Sequence, residues 1–162
     1  MPTIYLETRI KSDIQICFDL SRSIDLHRIS TEGTHEKAVD GVTSGLINLN
    51  EFVTWEATHF GVRQRLTSKI TQFKNPIHFR DEQVKGVFKY IIHDHTFEEQ
   101  DGIILMKDYF EFASPLGVLG KLVDSLILKR YLTKFLIERN YVIKDFAETE
   151  KWKQVLPTEK HL

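Results

Sequence analysis

The stretch that decides the fold is Phe88 to Arg139, FKYIIHDHTFEEQDGIILMKDYFEFASPLGVLGKLVDSLILKRYLTKFLIER. Its pattern changes period halfway. Phe88 to Phe97 and Ile103 to Phe112 are rich in β-formers, and Gln100-Asp101-Gly102 joins them tightly. That combination predicts an antiparallel hairpin. At Ser114-Pro115 the pattern turns helical. Serine can accept from the first free N–H groups, and proline suits the first helical position because its missing N–H would go unpaired there. The expected helix runs from Pro115 to about Arg139 and spans roughly 35 Å. Leu119, Leu122, Val123, Leu126 and Ile127 form one apolar stripe, whereas Leu128, Leu132, Phe135 and Leu136 lie around the other side of an ideal helix. Such a helix does not simply rest one face on a sheet. Either it bends, or a second surface covers it: the small N-terminal helices or another subunit.

Working outward, Thr3 to Ile10 alternates and reads as a strand. Ser12 is the expected cap of a first helix, with Asp13 in its first turn and Ile14, Cys17 and Phe18 at helical spacing. A second short helix is expected over Ser23 to Ser30. Thr31 to Asn50 is the least patterned region, with a short strand at Thr34 to Ala38 and a connection marked by Gly41 and Gly45. Strands follow at Glu51 to Phe60, Val62 to Phe73 and Phe79 to Val84, separated by Gly61, by Asn75-Pro76 and then closed by Lys85-Gly86. The order is strand, two helices, six strands, one long helix. Short turns make the sheet antiparallel, and a sheet of this size twists and curls. The expected fold class is α+β: a curved seven-stranded antiparallel sheet around a long C-terminal helix, enclosing a mostly apolar space. The domain is expected to occupy residues 1–146. Residues 147–162 read as a polar tail, loose or docked only through Trp152 and Leu156.

The 162 residues suit one domain, and 41% apolar residues suffice for a core. A net charge of -1 argues against a strong nucleic-acid binder. The single cysteine, Cys17, allows no intrachain disulfide and reads as a buried helical residue. The N-terminus alternates instead of forming a signal sequence, and no apolar run is long enough to span a bilayer, so the cytoplasm is the expected compartment.

Val53-Thr54-Trp55-Glu56-Ala57-Thr58-His59-Phe60-Gly61 is the first specific mark. Others are Ile24-Asp25-Leu26-His27 with Ser30, Leu66-Thr67-Ser68-Lys69-Ile70, Phe79-Arg80-Asp81, Gly86-Val87-Phe88, His93-Asp94-His95-Thr96-Phe97, Asp108, and Pro115-Leu116-Gly117-Val118-Leu119-Gly120. With these the chain, from Tyr5 to about Arg139, resembles the SRPBCC or START-like helix-grip superfamily. That superfamily includes Bet v 1-like plant allergens, lipid-transfer domains and polyketide cyclases. The nearer likeness is to an uncharacterised bacterial cyclase-like branch. The resemblance implies the helix-grip fold, and with it ligand binding, transfer or cyclisation; architecture alone does not choose among these.

The polar residues worth singling out are His59, His93, His95 and Asp108, with Trp55 beside them. His93 and His95 share one strand face, as do Trp55 and His59. Asp108 lies two residues from Met106 and from Phe110, an acid in an apolar row that needs a partner if it is buried. These groups could orient a ligand or move a proton; they could equally face solvent or close a structural network. Trp55, Tyr90, Met106, Phe110, Leu122 and Leu126 are the candidate apolar lining, although odd and even strand positions cannot all face inward. A metal site on His93 and His95 would need a third ligand such as His59, and no helical metal motif is present. The expectation is therefore a small hydrophobic ligand (lipid, polyketide-like or aromatic) held without cofactor or metal. The alternatives are a cyclase or hydrolase-like enzyme, or an interaction module with a vestigial cavity. A monomer is preferred to a homodimer. His27 and Arg28 are expected to cap or to pair near Asp25 and Glu32. Arg63, Arg65 and Lys69 read as a solvated basic face, and Gly117 and Gly120 as points of close backbone approach.

Overall fold

The structure is a computed structural model that describes residues 2–115 and 117–157. Leu116, one position of the Pro115–Gly120 mark, and residues 158–162, the end of the expected tail, lie outside the described residues. Seven strands form one antiparallel sheet: β1 Thr3–Ile10, β2 Lys37–Gly41, β3 Phe52–His59, β4 Val62–Lys74, β5 His78–Lys85, β6 Tyr90–Gln100 and β7 Ile103–Ala113. Their order is β1-β7-β6-β5-β4-β3-β2. Helices α1 Ile14–Ser21 and α2 Ile24–Ser30 follow β1, and a long helical run closes the chain. This is the expected α+β helix-grip arrangement.

Local chemistry explains the boundaries. Asp13, not Ser12, caps α1: its Oδ1 accepts from Gln15 N at 2.8 Å and Ile16 N at 3.2 Å. Ser12 instead donates its hydroxyl to Ala147 O at 2.8 Å, tying β1's exit to the last helix. Ser23 caps α2 by accepting from Leu26 N. The β3–β4 hairpin turns on Phe60 and Gly61, with φ of 52° and 74°. The β6–β7 hairpin turns on Asp101 and Gly102, with φ of 52° and 77°. Two consecutive positive φ values are what a two-residue turn needs to match strand twist, and Asp-Gly supplies them at little steric cost.

The last helix departs from expectation at both ends. It comprises α3 Gly117–Val123, a π-helical segment Asp124–Leu128 and α4 Lys129–Glu148, so it continues nine residues beyond Arg139. The buried set Leu136, Arg139, Asn140, Ile143, Phe146 and Ala147 repeats at intervals of three and four, the spacing of one helix face. Trp152 and Leu156 of the following residues are buried too. Of the first stripe only Val123 is partly covered. Val118, Leu119, Leu122, Leu126 and Ile127 are all exposed, Val118 at 85%. A π segment advances more residues per turn than an α-helix and so changes which face follows it. That is why the apolar phase seen in the sequence shifts near Ile127. Gly117 makes no close approach, since a Cβ there would meet nothing within 4 Å; its φ of +58° is what favours glycine.

Two apolar clusters fill the space between sheet and helices. The larger surrounds Phe18, whose ring meets Phe73, Phe79 and Phe97 edge-on at 5.4–5.5 Å. The smaller contains Ile4, Ile91, Phe110, Phe112 and Leu136.

Candidate functional site

Between these clusters lies a cavity of about 180 Å³. Its apolar wall draws on both, including Val53, Ile70 and Phe79 from one and Ile91, Phe110 and Leu136 from the other. Into this wall the sheet sets a row of polar groups. Strand register places Asp81 of β5 opposite His93 of β6, and His95 of β6 opposite Asp108 of β7. All four side chains lie on the concave face because their strands alternate in and out.

Asp108 is fully buried. Its Oδ1 is 2.8 Å from His93 Nε2, and its Oδ2 accepts from Asn140 Nδ2 at 2.7 Å. Arg139 Nη1 lies 3.5 Å from Oδ1, while its Nη2 donates to Ser21 O at 3.2 Å. Asp81 takes the other side of the histidine pair: Oδ2 is 2.8 Å from His95 Nε2, and Oδ1 accepts from Ser68 Oγ at 3.1 Å. His95 Nδ1 sits 3.2 Å from Asp108 Oδ1 without a hydrogen-bond partner among the described residues. The separation gives charge attraction but not an aligned hydrogen bond.

Burial disfavours charge on every member, so the partners decide each state. Burial pushes Asp81 up, but the His95 hydrogen bond and both imidazoles outweigh it and hold the carboxyl at about 2. Burial likewise opposes ionisation of Asp108, yet the two imidazoles and Arg139 keep it well below the usual carboxylate range. The histidines separate. Burial and the neighbouring His95 lower His93, whereas burial of His95 is overcome by the adjacent Asp108 and Asp81 carboxylates, which raise it. The two rings beside the same pair of carboxylates thus shift in opposite directions, His93 lowered and His95 raised.

A second polar group stands at the half-buried end of the cavity. His27 packs against Trp55, the rings tilted by 36° with centroids 4.2 Å apart, and its Nε2 is 2.6 Å from Glu36 Oε2. His59 Nδ1 is 2.7 Å from the Tyr131 hydroxyl. His27 thus pairs with Glu36, not with Asp25 or Glu32. Burial lowers His59, and burial acting on Glu36 is overcome by His27, leaving that carboxyl lowered.

Of the residues singled out from the sequence, Trp55, His59, His93, His95 and Phe110 line the cavity. Asp108 stands behind the histidines, and Met106 is buried in the larger cluster, where Ser21 Oγ reaches its sulfur at 3.4 Å. Three placements correct the expected lining. Tyr90 differs from His93 by an odd number of strand positions, so it sits on the opposite face, bonded to Glu111. Leu122 and Leu126 lie on the exposed side of the last helix, at 59% and 64%. Asp81, Ser68, Glu36, Arg139 and Asn140 join the site without having been singled out from the sequence. The parity of Phe79 and Asp81 could have placed that acid inward, and the three-four spacing after Leu136 could have placed Arg139 and Asn140. Arg63 and Arg65 are exposed and both pair with Glu56, as a solvated face requires.

No family model matches the chain, and no curated protein does. Solved structures do. TTHA0849 from Thermus thermophilus superposes with a TM-score of 0.69 at 12% identity, covering 88% of this chain and 97% of that one. Ginseng major latex-like protein 151 from Panax ginseng gives 0.68 at 17%, covering 91% and 98%. Ara h 8.0201 gives 0.61 at 14%, covering 88% and 97%. At these identities the likeness is one of architecture, and it agrees with the strand order and the long last helix: the chain has the Bet v 1-like helix-grip fold.

Proposed function

We propose that the protein reversibly binds a small hydrophobic molecule in the cavity between its sheet and last helix. The observation that supports this most directly is the cavity itself, about 180 Å³, walled by apolar side chains and carrying a few convergent polar groups. An apolar cavity of roughly 150 Å³ holds benzene in another protein. A compact ring-sized compound therefore suits this space better than an extended lipid, which would have to enlarge it. His93 and His95, backed by Asp108, and Asp81 beside them provide the groups that would orient a carbonyl, hydroxyl or carboxylate on the ligand.

A second reading, cyclase-like or hydrolase-like chemistry, is favoured by one feature. His93 is held by Asp108 on one nitrogen while its other side faces the cavity, the relation of a general base to its orienting acid. Native mass spectrometry of gently purified protein, followed by extraction of the bound fraction, tests the binding proposal. A recovered aromatic or other compact apolar compound is the expected result. A protein that is reproducibly empty and also ignores a broad hydrophobic library would overturn it and favour an interaction module.

A further inference from the structure

We propose that Asp81, His93 and His95 form a binding site for one divalent transition-metal ion, with zinc as the best-suited occupant. From the sequence no metal is expected, and His59 is named only as an example of the third ligand such a site would need; strand register supplies Asp81, directly opposite His93. The ligating atoms of the three residues all lie within 4.8 Å of one another. Asp81 Oδ2 is 2.8 Å from His95 Nε2 and 3.9 Å from His93 Nδ1. In a tetrahedral centre with metal–ligand bonds of about 2.0–2.1 Å, neighbouring ligand atoms stand about 3.3 Å apart. These two carboxylate–imidazole separations fall on either side of that value, so each would change by well under an ångström to seat an ion between Asp81 and the two rings.

The surroundings are those of a built site. A metal-bound histidine characteristically gives its far N–H to a carboxylate, which fixes the tautomer and aims the near lone pair. Asp108 stands behind both rings at once, 2.8 Å from His93 Nε2 and 3.2 Å from His95 Nδ1. That leaves His93 Nδ1 and His95 Nε2 directed toward Asp81. His95 Nδ1 is buried and has no hydrogen-bond partner among the described residues, and a small rotation of its ring on metal binding would align it with Asp108. Asn140 and Arg139 hold Asp108, and Ser68 holds the far oxygen of Asp81. In the metal-free protein the His95 imidazole occupies Asp81 Oδ2; the ion would take that place.

Two imidazoles and one carboxylate suit zinc and its first-row neighbours. They do not suit calcium or magnesium, which select oxygen ligands. Since all three residues line the cavity, the fourth position opens into it, toward water or an oxygen of the bound compound. The ion does not depend on the hydrophobic-ligand reading; that fourth ligand does.

The test uses full-length protein stripped with a chelator. It is titrated with Co²⁺ and followed by visible absorption, then with Zn²⁺ in competition. One equivalent of Co²⁺ should bind with the spectrum of a four-coordinate nitrogen–oxygen centre and be displaced by Zn²⁺. Asp81→Asn, His93→Gln and His95→Gln should each weaken uptake by roughly 100-fold, the upper end of what even an outer-sphere change costs. Asp94→Asn, on the opposite sheet face, should leave it unchanged. Since buried histidine variants can fail to fold, imidazole ¹⁵N chemical shifts of the wild-type protein give a second readout. Zn²⁺ should move His93 Nδ1 and His95 Nε2. No saturable uptake, unchanged uptake by folded Asp81→Asn, or shifts confined to other histidines would overturn the proposal. A compact apolar probe, toluene, followed by ligand-observed NMR in the same samples, separates the two readings. Probe binding without metal uptake rejects only the metal site; metal uptake without probe binding rejects only the hydrophobic-ligand reading.

Discussion

Strand β6 carries two polar networks on its two faces, and they obey different physics. Inward, His93 and His95 meet Asp108 and Asp81, with Asp108 at 0% exposure. Outward, Asp94 between them accepts two bonds from Arg80, at 2.9 and 2.8 Å, and pairs with His78 at 2.7 Å. The outer set has the better paired geometry, including a fork-to-fork arginine contact. The inner set has the greater consequence. His93, His95 and Asp108 are nearly sealed from water, so each depends on its neighbours. Contact quality and energetic weight are separate properties here, and burial decides the second.

The largest expected effect comes from the inner face. Asp108→Ala would leave Arg139 and both imidazoles without their shared anion, and removing one member of a buried charge pair costs about 3–5 kcal/mol. Urea unfolding measures it. A loss below about 1 kcal/mol, the scale of an exposed pair, would show that water or relaxation replaces the carboxylate and that the inner face is no special case.

Glu36 stands between the extremes, at the half-buried cavity end with 10% of its side chain exposed. Glu36→Gln should cost about 1.5 kcal/mol near neutrality, the scale of a hydrogen bond to a charged group. Burial acts to raise this carboxyl, and His27 more than reverses that, so its folded value lies below the ordinary 4.5. As pH falls, the unfolded chain therefore takes up the proton first. The contribution is present above 4.5 and is lost as pH drops through the lowered folded value. The gap between wild type and Glu36→Gln should narrow over that acid range. A gap constant with pH would mean that shape, not charge, holds Glu36.

The smallest effect is expected outside. Asp94→Asn should cost about 0.5–1 kcal/mol, as for partly exposed ion pairs, and most of that should vanish in about 1 M salt, where screening acts over about 3 Å. Parallel denaturation at low and high salt checks it. An Asp94→Asn cost equal to that of Asp108→Ala would break the comparison outright.

The fold is legible in the sequence because alternation and helical period report directly on which side of an element is buried. The polar site is legible only in part. Parity puts His93 and His95 on one face, but it says nothing about which residue of the next strand stands opposite. Asp81 is therefore merely a mark of resemblance until register joins it to His93. An ideal last helix assigns Leu122 and Leu126 inward, and the π segment at Asp124–Leu128 removes that premise. Tyr90 fails on parity, a constraint already present in the sequence. Ending the helix near Arg139 hides the inward direction of that residue and of Asn140.

The same π segment divides the last helix into two lengths with different ties to the molecule. α4 presents Leu136, Ile143 and Phe146 to the interior, while Val118, Leu119, Leu122, Leu126 and Ile127 before it point to solvent. Amide hydrogen exchange should register the divide. Amides of α4 are coupled to the core and should exchange only in large-scale unfolding, whereas those of α3 have little buried apolar surface to surrender and should exchange through small local openings. One continuous helix would then display two protection regimes, with the step falling within five residues of wider winding.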